Sequence, residues 1–265
     1  MTEDFAKYNG EGTMLRKAQL RLLEIMVEFD RICKEHNIPY FLSGGTCLGA
    51  IRHGGFIPWD DDVDIDVLNK DYKRLLDILK KELPAKYFLQ NAETDKGFYQ
   101  VFTRIVDKNS RVTFPNGDKI RKRMEYKGLF LDIFPIEKTL SYRLKKTIDY
   151  YYLYVFRAKR GIKGSFLTRV IAYMVWPFLQ VVVAIAKSLS VFSSNEKLCH
   201  VYGTKITPKL RYSNIFPVKP MLFEGMYFSG PAKPHEYLTD LYGKYAAIPP
   251  ADKRKVHTEK IEVYT

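Results

Sequence analysis

Apolar residues in the first part of the chain recur at helical spacing and then at strand spacing. Over residues 15–37 they fall on one stripe, which predicts an amphipathic helix with a single buried face. The apolar run 38–42 then predicts a short buried strand. A second helix is expected to begin at the glycines that follow it and to extend over 46–52, until Gly54-Gly55 breaks it.

Strand signals dominate the next segment. Apolar and acidic residues alternate over 63–67, which predicts a strand. Asn69 stands where it can cap a helix that continues over 72–83. Further strands are predicted at 87–90, 98–106, 111–114 and 128–134. The turn sequence Pro-Asn-Gly-Asp at 115–118 predicts that the strands 98–106 and 111–114 form a hairpin, so the first half is predicted to be a mixed α/β unit.

The pattern changes at about residue 141. Residues 142–160 are rich in tyrosine, lysine and arginine, and residues 170–186 carry no charge but contain Pro177. The uncharged stretch is near the minimum length for a membrane-spanning helix. Two interpretations stay open: a buried pair of core helices broken at Pro177, or an interfacial or re-entrant segment on an anionic membrane surface. Neither is preferred, although the second accounts for five basic residues that flank the stretch: Lys159, Arg160, Lys163, Arg169 and Lys187.

Composition narrows the class of protein. Of the 265 residues, 46% are apolar and 28% are charged, which excludes a disordered chain. The formal net charge of +13 favours acidic partners such as nucleic acid, anionic lipid or phosphate-bearing substrates, although a merely basic surface would give the same number. Cys33, Cys47 and Cys199 form no metal-binding pattern, so reduced thiols are expected. Residues 1–10 lack an apolar signal, and we expect a cytoplasmic protein.

Five aspartates occur within seven consecutive residues: Asp60, Asp61, Asp62, Asp64 and Asp66. If a strand runs through all of them, every one except Asp61 lies on the same side. Neighbouring carboxylates repel unless a cation neutralises them, and oxygen ligands of this kind suit Mg²⁺ or Mn²⁺. The alternatives are a solvated acidic loop, which fits poorly with the apolar flanks, and an EF-hand calcium loop. The calcium loop fails because it lacks the required glycine and the final glutamate.

Two further features can join such a metal site. Asp132 is the one charge in the apolar run 129–134, so it is either a third carboxylate or general base, or a cap or salt-bridge partner. Gly44-Gly45-Thr46 at a strand-to-helix junction can expose backbone N–H groups to an anion, and Arg52 can pair with a phosphate. Two glycines are often only a turn, and a single arginine is often only a surface charge.

The run 44–65, which contains Gly-Gly-Thr, Ile-Pro-Trp and Asp-Asp-Asp-Val-Asp, resembles the signature of the LicD family. That family belongs to the nucleotidyltransferases of the DNA polymerase β type and is similar to fukutin-related proteins. The run 128–135 resembles the later Leu-Asp-Ile-Phe-Pro block of the family. Looser matches follow at Phe223-Glu224-Gly225, Tyr237-Leu238, Tyr242-Gly243, Pro249-Pro250 and His257, whereas residues 141–208 match nothing.

The resemblance implies an α/β (α+β) fold: a polymerase β-type nucleotidyltransferase core whose mixed sheet is flanked by helices, with an added helical basic and apolar segment. The implied organisation is a catalytic core at 1–139, a membrane- or acceptor-facing helical segment at 140–200, and a C-terminal part at 201–265 that packs on the core. The implied activity is transfer of phosphocholine, or a similar phospho-alcohol, from a CDP-linked donor such as CDP-choline. The acceptor would be a hydroxyl of a cell-surface glycan: lipopolysaccharide, teichoic acid or capsule.

The resemblance also implies roles for particular residues. Catalytic roles fall to Asp62, Asp64 and Asp132. The Mg²⁺ or Mn²⁺ ligands would be Asp60, Asp62, Asp64 and Asp132. Donor contacts would come from Gly44, Gly45, Thr46, Arg52, Trp59, Asp60 and Asp61. Asp66 departs from the small residue usual in the family, which leaves its role open.

The expected partners are the CDP-alcohol and a glycan acceptor, lipid-linked if the protein works on the inner face of the cell membrane. Nucleic acid is not expected. Two other functions stay open at this stage: a nucleotidyltransferase acting on a small molecule or RNA, and a non-catalytic membrane-associated scaffold.

Overall fold

The computed structural model describes residues 5–114, 121–193, 196–254 and 256–264. Its helices are α1 (Ala6–Asn9), α2 (Met14–Glu35), α3 (Gly44–His53), α4 (Asn69–Glu82), α5 (Tyr142–Lys159), α6 (Phe166–Ser190), α7 (Tyr212–Ile215) and α8 (Pro234–Tyr242). Its strands are β1 (Tyr40–Leu42), β2 (Val63–Leu68), β3 (Tyr87–Gln90), β4 (Thr103–Asp107), β5 (Ser110–Thr113), β6 (Phe130–Lys138), β7 (Lys197–His200), β8 (Leu210–Arg211), β9 (Lys219–Phe223), β10 (Met226–Gly230) and β11 (Lys260–Val263).

Seven of these strands form one mixed sheet in the order β1-β2-β6-β4-β3, with β7 and β8 continuing from β6. Strand β6 is long enough to pair with β4 along its first half and with β7 along its second half. It runs parallel to β2, while the other pairs are antiparallel. This mixed sheet with flanking helices confirms the predicted α+β class.

The two faces of the sheet differ because strand side chains alternate. Val63 and Ile65 of β2 lie beside Leu131 and Ile133 of β6 on the face that joins the main apolar core, where all four are almost fully buried. Helices α2 and α4 contribute their apolar stripes to the same core. The aspartates of β2 and β6 therefore project from the opposite face, because they occupy the alternate positions.

Most predicted elements of the first half are present. The helix predicted at 15–37 is α2, and the strand predicted at 87–90 is β3. The predicted hairpin is wrong: β5 pairs with β11 from the end of the chain, and β4 pairs with β3 and β6. Local turn signals cannot reveal a partner strand that lies about 150 residues away in the chain. The turn predicted at 115–118 lies outside the described residues.

Two local predictions need correction. The strand predicted over 98–106 begins only at Thr103. Asn69 does not cap α4, because Leu68 occupies the N-cap position and the Asn69 amide donates to Glu137 Oε2 instead (2.8 Å). Strand β2 runs directly into α4 and leaves no residue between them, so a capping side chain has no position of its own.

The second half contains a hairpin of two long helices, α5 and α6. The expected break at Pro177 is wrong, since α6 is a single helix of 25 residues with the proline inside it. The alternative of a buried core pair is also wrong, because most of α6 is exposed to solvent. By length and composition alone, α6 could cross a membrane. In the remaining part of the chain, β10 contacts β1, and α8 contacts α3.

Candidate active site

The candidate site lies where β1 ends and both α3 and β2 begin. The two strands are antiparallel, with Leu42 opposite Ile65, so these ends are neighbours. The Ser43 N–H donates to the Asp64 carbonyl (3.0 Å), and the Asp64 N–H donates to Thr46 Oγ1 (2.9 Å). These two bonds hold the first turn of α3 against the start of β2.

The five aspartates divide into two groups. Asp64 and Asp66 are strand residues on one face of β2, whereas Asp60, Asp61 and Asp62 lie in the loop before it. The expectation that strand alternation arranges all of them is therefore wrong. The first three are arranged by side chains that hold the loop, because no neighbouring strand pairs with them.

Gln19 of α2 is one of these side chains. Its fully buried amide donates to the carbonyl of Asp60 at 2.9 Å and to that of Ile57 at 3.3 Å. Trp59, in the same loop, is buried and packs its ring 5.6 Å from that of Tyr8. In this structure Trp59 anchors the loop, and its predicted contact with the donor stays a prediction.

The glycines at the start of α3 let two carboxylates approach the backbone. A Cβ on Gly45 would lie 3.0 Å from Asp60 Oδ2, and one on Gly44 would lie 3.2 Å from Asp64 Oδ2. Gly44 also has a φ of 51°, which side chains rarely adopt. The carboxylates thus lie at the positive end of the helix dipole, where negative charge is favoured.

Crowding changes the acidity of these groups. Burial and the neighbouring Asp60 charge raise the pKa of Asp62 to about 8. Burial raises the pKa of Asp60 to about 6 against the opposing effect of His257. Burial, Asp62 and Asp132 raise the pKa of Asp64 well above its usual value. Burial and mutual repulsion thus disfavour the ionised carboxylates, and a divalent cation among them would offset that repulsion.

Asp61 has a different environment. Its carboxylate accepts hydrogen bonds from the backbone N–H groups of His257 (3.3 Å) and Thr258 (2.8 Å) and contacts His257 Nδ1 at 3.2 Å. Burial opposes ionisation of Asp61, but these contacts outweigh it and lower the pKa. Asp61 ties the C-terminal segment to the site, which brings His257 close to the other carboxylates.

His257 reaches three aspartates. Its Nδ1 lies 3.7 Å from an oxygen of Asp60 and 3.7 Å from an oxygen of Asp62, in addition to Asp61. Hydrogen bonding to Asp61 raises the pKa of His257 to about 9, so the imidazole is protonated at neutral pH. One ligand atom from each of Asp60, Asp62 and His257 lies within 4.8 Å of the other two. A metal ion could use the two carboxylates at once, but His257 only after its imidazole loses a proton.

Asp132 lies beside Asp64 on the adjacent strand and opposite Arg104 on the other side. Arg104 donates to both of its carboxylate oxygens, at 2.8 and 3.0 Å, so the salt-bridge alternative is present in the structure. Burial raises the pKa of Asp132 to about 6, although Arg104 opposes the rise. The Arg104 guanidinium also lies 3.8 Å from the ring centroid of Phe130, which fixes its orientation.

Arg52 lies at the end of α3, away from the first turn. Its Nη1 donates to the carbonyls of Tyr245 and Ala247, both at 3.3 Å, and its Nε contacts His53. The structure therefore brings Gly44, Gly45, Thr46, Asp60, Asp62 and Asp64 together, with Asp132 on the adjoining strand. Arg52, Trp59 and Asp61 surround this group and hold neighbouring segments.

A cleft of about 350 Å³ opens beside Asp64. Asp66 lies in it and pairs with His200, whose Nε2 is 3.2 Å from Asp66 Oδ1, and the His200 ring stacks on Phe134. Most of the lining is apolar or aromatic, including Phe134, Ile206, Pro208, Tyr237, Leu241 and Tyr242. Asp66 thus pairs with His200 and has no direct contact of this kind with the Asp60–Asp64 cluster.

Sequence reasoning missed Gln19, Arg104 and His200 as site residues, and it noted His257 only as a loose motif match. Gln19 had one signal, a polar residue within an apolar helix stripe. The other three come from distant segments, and only the tertiary structure brings them to the aspartates.

A mixed sheet flanked by helices, with carboxylates gathered where a central strand begins, defines an α+β protein with a nucleotidyltransferase-like fold. Residues 37–166 match the family described as LicD/FKTN/FKRP, nucleotidyltransferase domain. These residues form a LicD-type domain.

Similar proteins include lipopolysaccharide cholinephosphotransferase LicD of Haemophilus influenzae, which is 29% identical over 92% of this chain and 95% of its own length. Ribitol-5-phosphate transferase FKTN of Mus musculus is 34% identical over 29% of this chain and 16% of its own length. Ribitol 5-phosphate transferase FKRP of Homo sapiens is 53% identical over 13% of this chain and 7% of its own length. The bacterial similarity thus extends through the helical hairpin, and the other two are local.

Proposed function

We propose that this chain is a LicD-type phosphotransferase that moves phosphocholine from CDP-choline to a hydroxyl of a cell-surface glycan such as lipopolysaccharide. The observation that carries the proposal is the position of Asp60 and Asp64 against the glycine turn that opens α3, with Asp62 close to Asp60. The near full-length similarity to a lipopolysaccharide cholinephosphotransferase supports the group transferred and the acceptor class.

Mg²⁺ or Mn²⁺ fits this site. Asp60, Asp62 and Asp64 would hold the ion, because their oxygen atoms suit a hard cation and their raised pKa values reflect burial and mutual repulsion that a cation would offset. When bound, the ion would neutralise the donor diphosphate and stabilise charge at the transferred phosphorus. Gly44 and Gly45 leave room for the diphosphate near the N-terminus of α3, whose dipole favours anions.

Asp132 is the proposed general base. Two hydrogen bonds from Arg104 orient its carboxylate, and a pKa of about 6 leaves it largely ionised at neutral pH. The acceptor oxygen forms a bond to the phosphorus that bears choline, and the proton of that hydroxyl passes to Asp132. The bond between this phosphorus and the bridging oxygen of the diphosphate breaks, and CMP leaves.

The cleft beside Asp64 is the proposed position of the alcohol. Its aromatic and apolar walls, with Asp64 and Asp66 at one side, suit a quaternary ammonium group, which needs negative potential and no hydrogen-bond partners. Ribitol carries several hydroxyls that such walls would leave unpaired. The chemistry of the cleft therefore favours choline over a polyol.

The test incubates the protein and a glycan acceptor with one CDP-alcohol at a time: CDP-choline, CDP-ethanolamine, CDP-glycerol or CDP-ribitol. Mass spectrometry then measures the modified acceptor. CDP-choline with Mg²⁺ should give the largest yield of acceptor that has gained one phosphocholine, and EDTA should abolish the product. Asp62→Asn should also abolish it, whereas Asp77→Asn on the exposed face of α4 should not. Full turnover in EDTA would contradict the proposed metal dependence. A preference for CDP-ribitol would contradict the proposed choice of choline.

A further inference from the structure

Helix α6 exposes apolar side chains along most of its surface. Phe166 is 82% exposed, Phe178 is 74% exposed, and Phe192 just beyond the helix is 88% exposed. Other large apolar residues share this exposure: Leu167, Val170, Ile171, Tyr173, Met174, Val175, Val181, Val182, Ile185 and Leu189. A surface of this kind is far larger than isolated apolar residues explain, so it marks an interaction site.

Among the described residues, a narrow stripe of α6 is covered by the neighbouring helix α5 and by Tyr202. Val183 and Ala186 pack with Ile148, and Trp176 packs with Tyr152 at 5.1 Å between ring centroids. The rest of the circumference meets solvent, including both flanks of the stripe. The uncovered part has no alternation of apolar and polar residues, so it does not resemble the solvent side of an ordinary surface helix.

A basic cleft lies at the start of α6. It has a volume of about 340 Å³ and is lined by Lys96, Phe156, Lys159, Arg160, Arg169, Tyr173 and Trp176. Lys159 Nζ lies 4.8 Å from the Trp176 ring centroid and 5.4 Å from that of Tyr173. Within the described part of the chain, no carboxylate forms a salt bridge with any of the four cations. The cleft therefore combines unneutralised positive charge with aromatic walls.

Arg160 holds the walls of this cleft together through hydrogen bonds to backbone carbonyls. Its Nη1 donates to the carbonyl of Ala92, and its Nη2 donates to those of Asp95 and Lys96, at 2.8 to 3.0 Å. Its Nε is buried and has no hydrogen-bond partner among the described residues. The bonds join the turn between α5 and α6 to the loop that carries Lys96, so the cations are held near one another.

We propose that α6 lies in the surface of an anionic bilayer, with its apolar side among the acyl chains and a lipid phosphate in the basic cleft. Apolar side chains beside lysine, arginine, tyrosine and tryptophan have the composition of an interfacial anchor. A bilayer containing anionic lipid meets both requirements at once, because it offers a continuous apolar phase next to negative headgroups. The excess of positive charge over the whole chain, +13, adds to this attraction.

The hairpin geometry favours this interfacial position over a spanning one. Helix α5 runs antiparallel along α6, as the pairs of Ile148 with Val183 and of Tyr152 with Trp176 demonstrate. It carries Lys146, which would enter the hydrocarbon if α6 crossed the membrane with α5 in place.

The anchor is also joined to the strand that carries Asp132. Lys187, near the end of α6, forms a salt bridge with Glu137 of β6 (2.9 Å). Docking of α6 would therefore orient β6 relative to the membrane. This arrangement agrees with a lipid-linked glycan acceptor, although membrane docking does not depend on the proposed reaction.

Co-sedimentation of the full chain with lipid vesicles tests the proposal without turnover. The protein should pellet with vesicles of phosphatidylcholine plus phosphatidylglycerol and much less with phosphatidylcholine alone. A double variant, Phe178→Glu and Val182→Glu, should lose the binding while its circular dichroism stays unchanged, because both side chains are exposed. Equal binding to both kinds of vesicle would contradict the proposal that anionic headgroups contribute to binding.

A triple variant tests the cleft itself: Lys96→Gln, Lys159→Gln and Arg169→Gln. Each cation removed near the membrane should weaken vesicle binding about fivefold. The matched control removes the same charge on α2 and β11 through Lys17→Gln, Lys34→Gln and Lys260→Gln, and it should change binding far less. Equal losses in the two triple variants would overturn the lipid site and leave only general electrostatic attraction.

A second copy of the chain is the rival occupant of the apolar face. Analytical ultracentrifugation of the unmodified protein would then detect a dimer that Phe178→Glu dissociates, and vesicles would bind nothing. That pair of results would overturn membrane docking. Activity on a soluble acceptor should be unchanged in both triple variants, so failure of docking and failure of the phosphotransferase proposal give different results.

Discussion

The central sheet and the α5–α6 hairpin use similar apolar residues in opposite ways. Strands β2 and β6 bury Val63, Ile65, Leu131 and Ile133 almost completely, whereas α6 leaves most of its apolar side chains in solvent. The sheet can bury its apolar face because α2 and α4 pack against that face. The hairpin has no such cover, so its apolar residues contribute little to the stability of this chain and are available to a partner.

The two regions also differ in where they place charge. The sheet and the loop before it gather buried aspartates at one site, where ionised carboxylates repel one another. The hairpin spreads lysine and arginine beside apolar surface, where a membrane can meet them. We propose that the first region performs the chemistry and the second positions it, and four predictions test that division.

The largest expected effect is on catalysis. Asp62→Asn removes one proposed carboxylate ligand of the metal ion, and kcat should fall by more than about 1000-fold, because a metal ion contributes several kcal/mol to the transition state. Titration of Mg²⁺ by calorimetry should detect weaker binding in the variant, with unchanged circular dichroism. Asp77→Asn is the control. Retained turnover in Asp62→Asn would contradict the assigned site.

The next effect compares core and hairpin directly. Ile133→Ala should lower the free energy of unfolding by about 2–5 kcal/mol, because it leaves a cavity in the core. Phe178→Ala removes a larger side chain from α6 but should change that free energy by no more than about 0.5 kcal/mol, because the ring is exposed. Urea unfolding of both variants measures the difference. A large loss for Phe178→Ala would mean that α6 is covered in solution.

Stability of the metal-free protein should depend on pH. Asp60, Asp62 and His257 all have raised pKa values, about 6, 8 and 9, so the native state keeps protons that the unfolded chain releases. Tm should therefore fall as pH rises from about 4 to about 9. Mg²⁺ should raise Tm more at the alkaline end, where the carboxylates are ionised.

Differential scanning calorimetry at several pH values, with EDTA or Mg²⁺, measures this effect. Asp62→Asn should flatten the pH slope, since it removes one of the groups responsible. A Tm that rises steadily with pH in EDTA would contradict the proton uptake inferred for the native state.

The smallest effect concerns the glycine turn. Gly45→Ala adds a Cβ about 3.0 Å from Asp60 Oδ2, which displaces that carboxylate slightly. kcat/KM should fall about tenfold, since small misplacements of a reacting constellation are costly. In the control Gly12→Ala, the added Cβ meets nothing within 4 Å. The φ of 84° makes this substitution strain the backbone, which lowers stability, but kcat/KM of the folded protein should stay unchanged. Equal activity in the two variants would mean that the approach of Asp60 to α3 is not required.

The sequence by itself determined the elements whose signals are local. Helix α2, strand β3 and the α+β class follow from apolar spacing, because spacing alone decides which side chains can share a face. The acidic run and the glycine turn were also visible, since their residues are neighbours in the chain. The LicD-like motif joined these local features into one expected site.

Tertiary structure decided what depends on contacts between distant segments. It brought His257 to Asp61 and Arg104 to Asp132, and it paired β5 with β11 instead of with β4. It also left α6 exposed as one continuous helix. Hydropathy alone could not distinguish an exposed apolar helix from a buried one. An apolar composition indicates that a segment avoids water. Only the packing of the whole chain determines whether the protein itself or a partner covers that segment.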